Sequence, residues 1–145
     1  IVDEYSKAVA KRSQTVIFSK DKPRTHAWVD PQYFAMAIDN LISNASKYSH
    51  KNTTIHISTE QHGRDTIIRV ADSGVGIHSR DMHRLFQKFS RIDNELSIEA
   101  GGNGIGLYLC RQIVLLHNGR ITAESRVGSG SVFTITLPTN KFIPI

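Results

Sequence analysis

A single cysteine, Cys110, stands in the whole chain, which excludes an internal disulfide. It falls within a helical pattern, where a small buried thiol is expected rather than a reactive one. Such sparing use of cysteine fits a reducing compartment. Long apolar runs are missing too: no stretch approaches the ~18 residues that a membrane-spanning helix needs. The N-terminus reads Ile1-Val2-Asp3-Glu4-Tyr5. It has no basic stretch leading into an apolar one, as a signal peptide would. It also lacks an initiating Met, and the chain reads as an excised fragment. Blocks of like charge are absent. The net charge of +5 and the pI of about 9.6 therefore come from scattered Lys and Arg residues. That scatter argues against a nucleic-acid surface. It suits cations gathered near a phosphate ligand, with the remainder on solvated surface.

What is present is ordinary for a soluble globular chain: 39% hydrophobic and 21% charged residues. The 145 residues suffice for one core. No repeat or linker interrupts them, so 1–145 is read as a single domain. Residues 3–12 read as a polar helix or helix end. Thr15-Val16-Ile17-Phe18 and His26-Ala27-Trp28-Val29 read as short strands joined by a Lys/Asp/Pro turn. Asp30 offers an N-cap and Pro31 suits the first helical position. Phe34, Ile38, Leu41, Ile42 and Ala45 then recur at helical spacing, which predicts an amphipathic helix over 31–48. Thr54 to Ser58 alternates as a strand, Gln61-His62-Gly63-Arg64 makes a turn, and Thr66 to Asp72 reads as a second strand. A short helix is expected around 79–85, then an aperiodic loop. A helix over 104–117 follows, with Ile105, Leu109, Ile113 and Leu116 on one face, stopped by Asn118-Gly119. Strands at about 120–125 and 131–137 close the chain around Gly128-Ser129-Gly130. This order implies an α+β fold: a two-layer α/β sandwich with helices on one face of a mixed β-sheet. The loop before the last helix is long for a compact domain, and 90–103 is expected to be a mobile lid.

Four groups of residues suggest chemistry. Asn40, Asn44 and Lys47 fall within roughly 60° of one another on the helical wheel, away from the apolar stripe, with Tyr48 at the edge. Two amides and an ammonium in a column suit Mg²⁺ and its phosphates; read alone, they equally suit a wet helix face. Asp72-Ser73-Gly74-Val75-Gly76-Ile77 follows a strand. It is either a turn or a carboxylate placed to accept from a base amine, with glycines that let backbone pass close to a ring. Gly102-Asn103-Gly104-Ile105-Gly106 opens a helix, where backbone N–H groups make an anion site. It lacks the Gly-Lys-Ser/Thr ending of a Walker loop and the preceding strand of a Rossmann fingerprint. Leu85-Phe86-Gln87-Lys88-Phe89-Ser90-Arg91 offers core phenylalanines and an arginine at the base of the loop.

In this order and at these spacings, the four groups closely resemble the catalytic ATP-binding domain of sensor histidine kinases. Asp39 to Tyr48 resembles the N box, Asp72 to Ile77 the first glycine box, Leu85 to Arg91 the F box, and Gly102 to Leu107 the second glycine box. His117-Asn118-Gly119 and Phe133 to Pro138 are similar to the family's domain ending. The resemblance runs from about residue 1 to 138. It implies a Bergerat ATP-binding fold, with ATP and Mg²⁺ as cofactors. Asn44 would be the principal metal ligand with Asn40 assisting, and Lys47 and Tyr48 would approach the phosphates. Asp72 would receive the adenine amine, with Gly74, Gly76 and Ile77 beside the ring. Gly102, Gly104 and Gly106 would hinge the lid and line the phosphates together with Ile105 and Leu107. Asn103 would sit near the metal, and Arg91 would reach the γ-phosphate.

Two other classes share parts of this pattern. The gyrase and Hsp90 type of ATPase carries a glutamate at the position of Asn40, where it activates water; an amide is no general base. Kinases of anti-sigma factors resemble the glutamate pattern as well. A nucleotide-sensing pseudokinase or scaffold would be expected to show a broken motif, and none is visible. The seven histidines are His26, His50, His56, His62, His78, His83 and His117. None is followed by the Glu/Asp-x-x-Arg/Lys-Thr-Pro pattern of the family's acceptor helix. His78 and His83 read as surface residues and His117 as helix-end packing. The expected partners are therefore ATP, the protein's own dimerisation and acceptor-histidine domain upstream, and a response regulator. No nucleic acid and no membrane contact are expected for this fragment, and a cytoplasmic location is.

Overall fold

The computed structural model describes residues 2–20 and 25–140. The element order is α1 (Val2–Ala10), β1 (Thr15–Lys20), α2 (Pro31–Lys47), β2 (Thr54–His62), β3 (Asp65–Asp72), a 3₁₀ turn (Ser79–Arg84), α3 (Ser97–Ala100), α4 (Gly106–Leu116), β4 (Arg120–Arg126) and β5 (Gly130–Pro138). The strands form one sheet in the order β1-β2-β3-β5-β4. The β1–β2 pair is parallel and the other pairs are antiparallel. This is the mixed two-layer sandwich that the sequence predicts.

Alternation along the strands builds the core in rows. Ile68, Ile135 and Ile121 are register partners across β3, β5 and β4, and so are Val70, Phe133 and Ala123. Their side chains share the face that packs under the helices, since every second residue of a strand points the same way. The next row toward the strand end is polar: Asp72, Ser131 and Ser125. Above the sheet, α2 buries Ala37, Leu41, Ile42 and Ala45, and α4 buries Cys110, Ile113 and Val114. Asp30 caps α2 as expected, its Oδ1 accepting from the N–H groups of Gln32 (2.9 Å) and Tyr33 (3.1 Å).

His117 joins the two helices. Its Nδ1 lies 2.7 Å from the Ile113 carbonyl, which can only accept, so the proton sits there. Its Nε2 then accepts from the Asp30 N–H at 2.9 Å, and Phe34 meets the ring edge to face. The helix-end role expected of His117 is what the structure shows.

Three expectations are corrected. Residues 26–29 form no strand. The segment buries Ala27 and Val29 in part, but it is fastened by the Thr66 hydroxyl, which donates to the His26 carbonyl, and it enters no ladder. Five strands are present among the described residues instead of six; the Lys/Asp/Pro turn expected before 26 lies outside the described residues. On α4, Leu116 is 70% exposed while Cys110 and Val114 are buried, so the apolar stripe is rotated from its expected position. Phe89 is 66% exposed with a left-handed backbone (φ 61°), in the turn where Ser90 N–H donates to Gln87. Only Phe86 is core, edge to face with Phe133.

Gln14, between α1 and β1, was not singled out in the sequence. It is 4% exposed, and the two protons of its amide nitrogen are shared among the carbonyls of Ser46 (3.0 Å), Ser49 (3.2 Å) and His50 (3.1 Å). Its oxygen accepts from the Ser46 hydroxyl at 2.6 Å. One side chain thus ties the end of α2, where helical pairing runs out, to the start of β1. Gln14→Ala is expected to lower stability by about 1–2 kcal/mol, because the buried amide's bonds to the end of α2 are lost while its carbonyl acceptors keep other donors. Urea unfolding measures this, and an unchanged midpoint would show that the clasp contributes nothing.

Candidate functional site

A cavity of about 230 Å³ opens between α2, the ends of β3 and β5, and the segment leading into α4. Its wall includes Asn40, Asn44, Lys47 and Tyr48 from α2 and its C-cap. Asp72, Gly76 and Ile77 come from the end of β3 and the turn after it, and Arg91, Gly102, Asn103, Gly104, Gly106 and Leu107 from the loop and the start of α4. Residues far apart in sequence therefore converge on one space. Gly74 and Ile105, also expected at the site, do not line it. Ser43, Ser90, Ile92 and Ser131 do line it and were not anticipated.

Asp72 occupies one end. It continues the inward row of Thr66, Ile68 and Val70 on β3, so its carboxylate emerges at the edge of the core. Oδ1 accepts from the Gly74 N–H (2.8 Å) and the Ser131 N–H (3.2 Å). Oδ2 has no hydrogen-bond partner among the described residues. Burial pushes the carboxyl up to about 6, against the two N–H groups that pull it down. A half-buried carboxylate at the wall of a cavity, with one oxygen unengaged, is a ready acceptor for an amine.

The glycine turn after β3 is locked to its surroundings. The Val75 N–H donates to the Tyr48 carbonyl (3.0 Å) at the end of α2, and the Val75 carbonyl accepts from Gly128 (2.9 Å). Gly74 lies in the crevice under Tyr48, where a side chain would collide with the Tyr48 carbonyl. Gly76 has φ 71° and its Cα faces the Arg126 carbonyl, so both conformation and space demand glycine.

The opposite end is set by α2 against α4. The Asn40 amide nitrogen donates to the Met36 carbonyl (2.9 Å), and its oxygen lies against Gly106, where a methyl group would stand 2.6 Å away. Gly106 thus permits close approach of the two helices at the cavity. Asn103 Oδ1 accepts from the Ile105 N–H (3.2 Å), shaping the turn into α4. Arg91 donates to the Ser97 carbonyl (3.0 Å) in α3. The Ser90 hydroxyl is buried and finds no partner among the described residues.

No cluster of three His, Cys, Asp or Glu side chains that would hold a metal by itself occurs among the described residues. The amide oxygens of Asn44 and Asn40 instead suit a hard cation that takes one or two protein oxygens and completes its shell with phosphates and water, the habit of Mg²⁺. His78 and His83 are exposed, as expected. No helix among the described residues is long and apolar enough to cross a membrane.

The profile of the histidine kinase-, DNA gyrase B- and HSP90-like ATPase family matches residues 29–141. The circadian input-output histidine kinase CikA of Synechococcus elongatus is 39% identical over 114 residues, 79% of this chain and 15% of that protein. The sensor-like histidine kinase SenX3 of Mycolicibacterium smegmatis is 36% identical over 131 residues, 90% of this chain and 34% of that protein. The chain thus spans between about a seventh and a third of these curated relatives. Among solved structures, the nucleotide-free catalytic domain of histidine kinase ThkA superposes with a TM-score of 0.81 at 25% identity, covering 94% of this chain and 88% of that one.

The raised carboxyl carries a stability consequence. Asp72 binds its proton more tightly in the fold than in the unfolded chain, whose ordinary value is 3.8. Stability therefore falls as pH rises through the window from about 4 to about 6. Asp72→Asn keeps both N–H bonds and removes the charge. It is expected to stabilise the nucleotide-free domain above about pH 6 by on the order of 1–2 kcal/mol. The gain should vanish near pH 4. Thermal unfolding of both proteins across this range measures it, and a destabilised variant at pH 8 would contradict it.

Proposed function

This chain belongs to the histidine kinase-, DNA gyrase B- and HSP90-like ATPase family, as a catalytic ATP-binding domain of the histidine kinase type with a Bergerat fold, and we propose that it binds Mg-ATP and donates the γ-phosphoryl group to a histidine on a separate dimerisation and acceptor domain. The observation that carries this reading is one cavity with a half-buried carboxylate at one end and a column of two amides and an ammonium along its helical wall.

Asp72 takes the amine of adenine, with Gly76 and Ile77 beside the ring and Gly74 behind them. Lys47 answers phosphate charge as a point cation, and Tyr48 stands at the same helix end. Asn44 holds the metal with Asn40 assisting; when bound, Mg²⁺ neutralises charge on the phosphates. Gly102, Gly104 and Gly106 bring backbone close to the phosphates, with Asn103, Ile105 and Leu107 shaping the approach. The 90–103 segment covers the triphosphate, and Arg91 leaves the Ser97 carbonyl to meet the γ-phosphate. Neutral imidazole attacks phosphorus with its own lone pair while the bond to the β–γ bridging oxygen breaks and ADP leaves, so the nucleophile needs no base in this site, and Asn40 supplies none. Positioning and charge stabilisation are the remaining tasks. The acceptor domain and a response regulator are the proposed partners, in a parent sensor kinase whose catalytic part is cytoplasmic.

Asn44→Asp is expected to shift stability by no more than about 0.5–1 kcal/mol, because the side chain faces a cavity. Phosphotransfer to a separately supplied acceptor domain should drop by about tenfold or more. Retained transfer, or unfolding of the variant, would remove Asn44 from the metal site.

Base selection follows from Asp72. Guanine brings a carbonyl where adenine has an amine, and two acceptors left facing each other cost on the order of 2–3 kcal/mol. ATP is expected to bind roughly a hundredfold tighter than GTP, and Asp72→Asn should shrink that preference. The ATP preference should also weaken below about pH 6, as the carboxyl protonates. Calorimetric titration of both nucleotides checks this; equal affinities in the wild type would exclude Asp72 from the base site.

A further inference from the structure

Ser125, on β4, does not line the cavity, yet three groups that shape its base end meet at its hydroxyl. The oxygen accepts from the Ile77 N–H at 2.8 Å. The hydroxyl donates to the Gly130 carbonyl at 2.9 Å. The Ser131 hydroxyl lies 2.8 Å away. Ser131 itself is 7% exposed, lines the cavity, and is the register partner of both Asp72 and Ser125.

Counting protons fixes the direction of these bonds. A serine hydroxyl has one proton. The Gly130 carbonyl can only accept, so it takes the proton of Ser125. Ser131 must then donate to Ser125, and the Ser131 oxygen has only lone pairs left for the cavity. The base end thus presents two fixed acceptors, Asp72 and Ser131, on adjacent strands.

We propose that Ser125 is a positioning residue for nucleotide selection, locking the Ser131 hydroxyl as an acceptor while it holds the Ile77 backbone. A 6-amino purine has two N–H bonds on one nitrogen and can satisfy two acceptors, directly or through a water. A 6-oxo purine brings a third acceptor at that position, and its single donor on this edge, N1–H, lies one ring atom away and cannot serve both. Without Ser125, the Ser131 proton is free to turn into the cavity and welcome a 6-oxo group. This inference rests on the ATP reading above and adds a residue that acts through its neighbour.

The test compares ATP with inosine triphosphate, which differs at the edge carrying the 6-amino group. Isothermal titration of both into Ser125→Ala should show the ATP-to-ITP affinity ratio falling about fivefold or more, the size of one neutral hydrogen bond. Ser125→Thr retains the hydroxyl on a residue suited to a strand and should restore the ratio. Ser131→Ala leaves the Ser125 bonds to Ile77 and Gly130 in place and should lower the ratio by itself, and adding Ser125→Ala to it should lower the ratio no further. Equal weakening of both nucleotides in Ser125→Ala, or an unchanged ratio in Ser131→Ala, would overturn the proposal while the ATP reading stood. A wild type that binds neither nucleotide would overturn both.

Discussion

The fold is organised around one costly placement, a carboxylate at the last inward position of the central strand. Three positions before it on that face, Thr66, Ile68 and Val70, are buried. Asp72 therefore leaves bulk water with its strand, and burial raises its proton affinity. Two backbone N–H groups offset part of that cost, one from the turn that follows and one from β5. Both serve a single oxygen, so the carboxylate is held still while its second oxygen remains free for a ligand. A nucleotide base that donates a hydrogen bond returns what folding spent.

Everything near Asp72 serves this geometry. The C-terminal turn of α2 supplies the Tyr48 carbonyl that anchors Val75, and Gln14 holds the same turn from behind. The β4–β5 hairpin receives the glycine turn from the other side, through Gly128 and Ser125. The glycine box is thus clamped between a helix end and a hairpin. Its glycines are required by that crowding as much as by any ligand, since side chains at 74 and 76 would strike backbone carbonyls.

The other end of the cavity depends on two helices lying close. Gly106 lets the start of α4 rest against Asn40, and His117 fastens the end of α4 to the start of α2. These contacts at opposite ends make the helices antiparallel and fix the cavity between them. Lys47 then faces the space from the last turn of α2, and Arg91 stands on the loop side. Two of the chain's cations thus border one cavity.

The sequence by itself determined what depends on local order. Helical spacing from Phe34 to Ala45 placed α2 and, with it, the column of Asn40, Asn44 and Lys47. Alternation placed β2, β-rich runs between turn residues placed β3 and β5, and the glycines marked both turns that reach the cavity. Tertiary structure decided what depends on partners distant in the chain. Residues 26–29 have a strand-like pattern but meet a Thr66 hydroxyl instead of a neighbouring ladder. Phe89 follows a core phenylalanine yet turns outward, because the backbone there is left-handed. Gln14, Ser125 and Ser131 are unremarkable polar residues in a linear reading. Their roles arise only when a helix end, a hairpin and a strand end are brought within hydrogen-bonding distance, and no local periodicity encodes such a meeting.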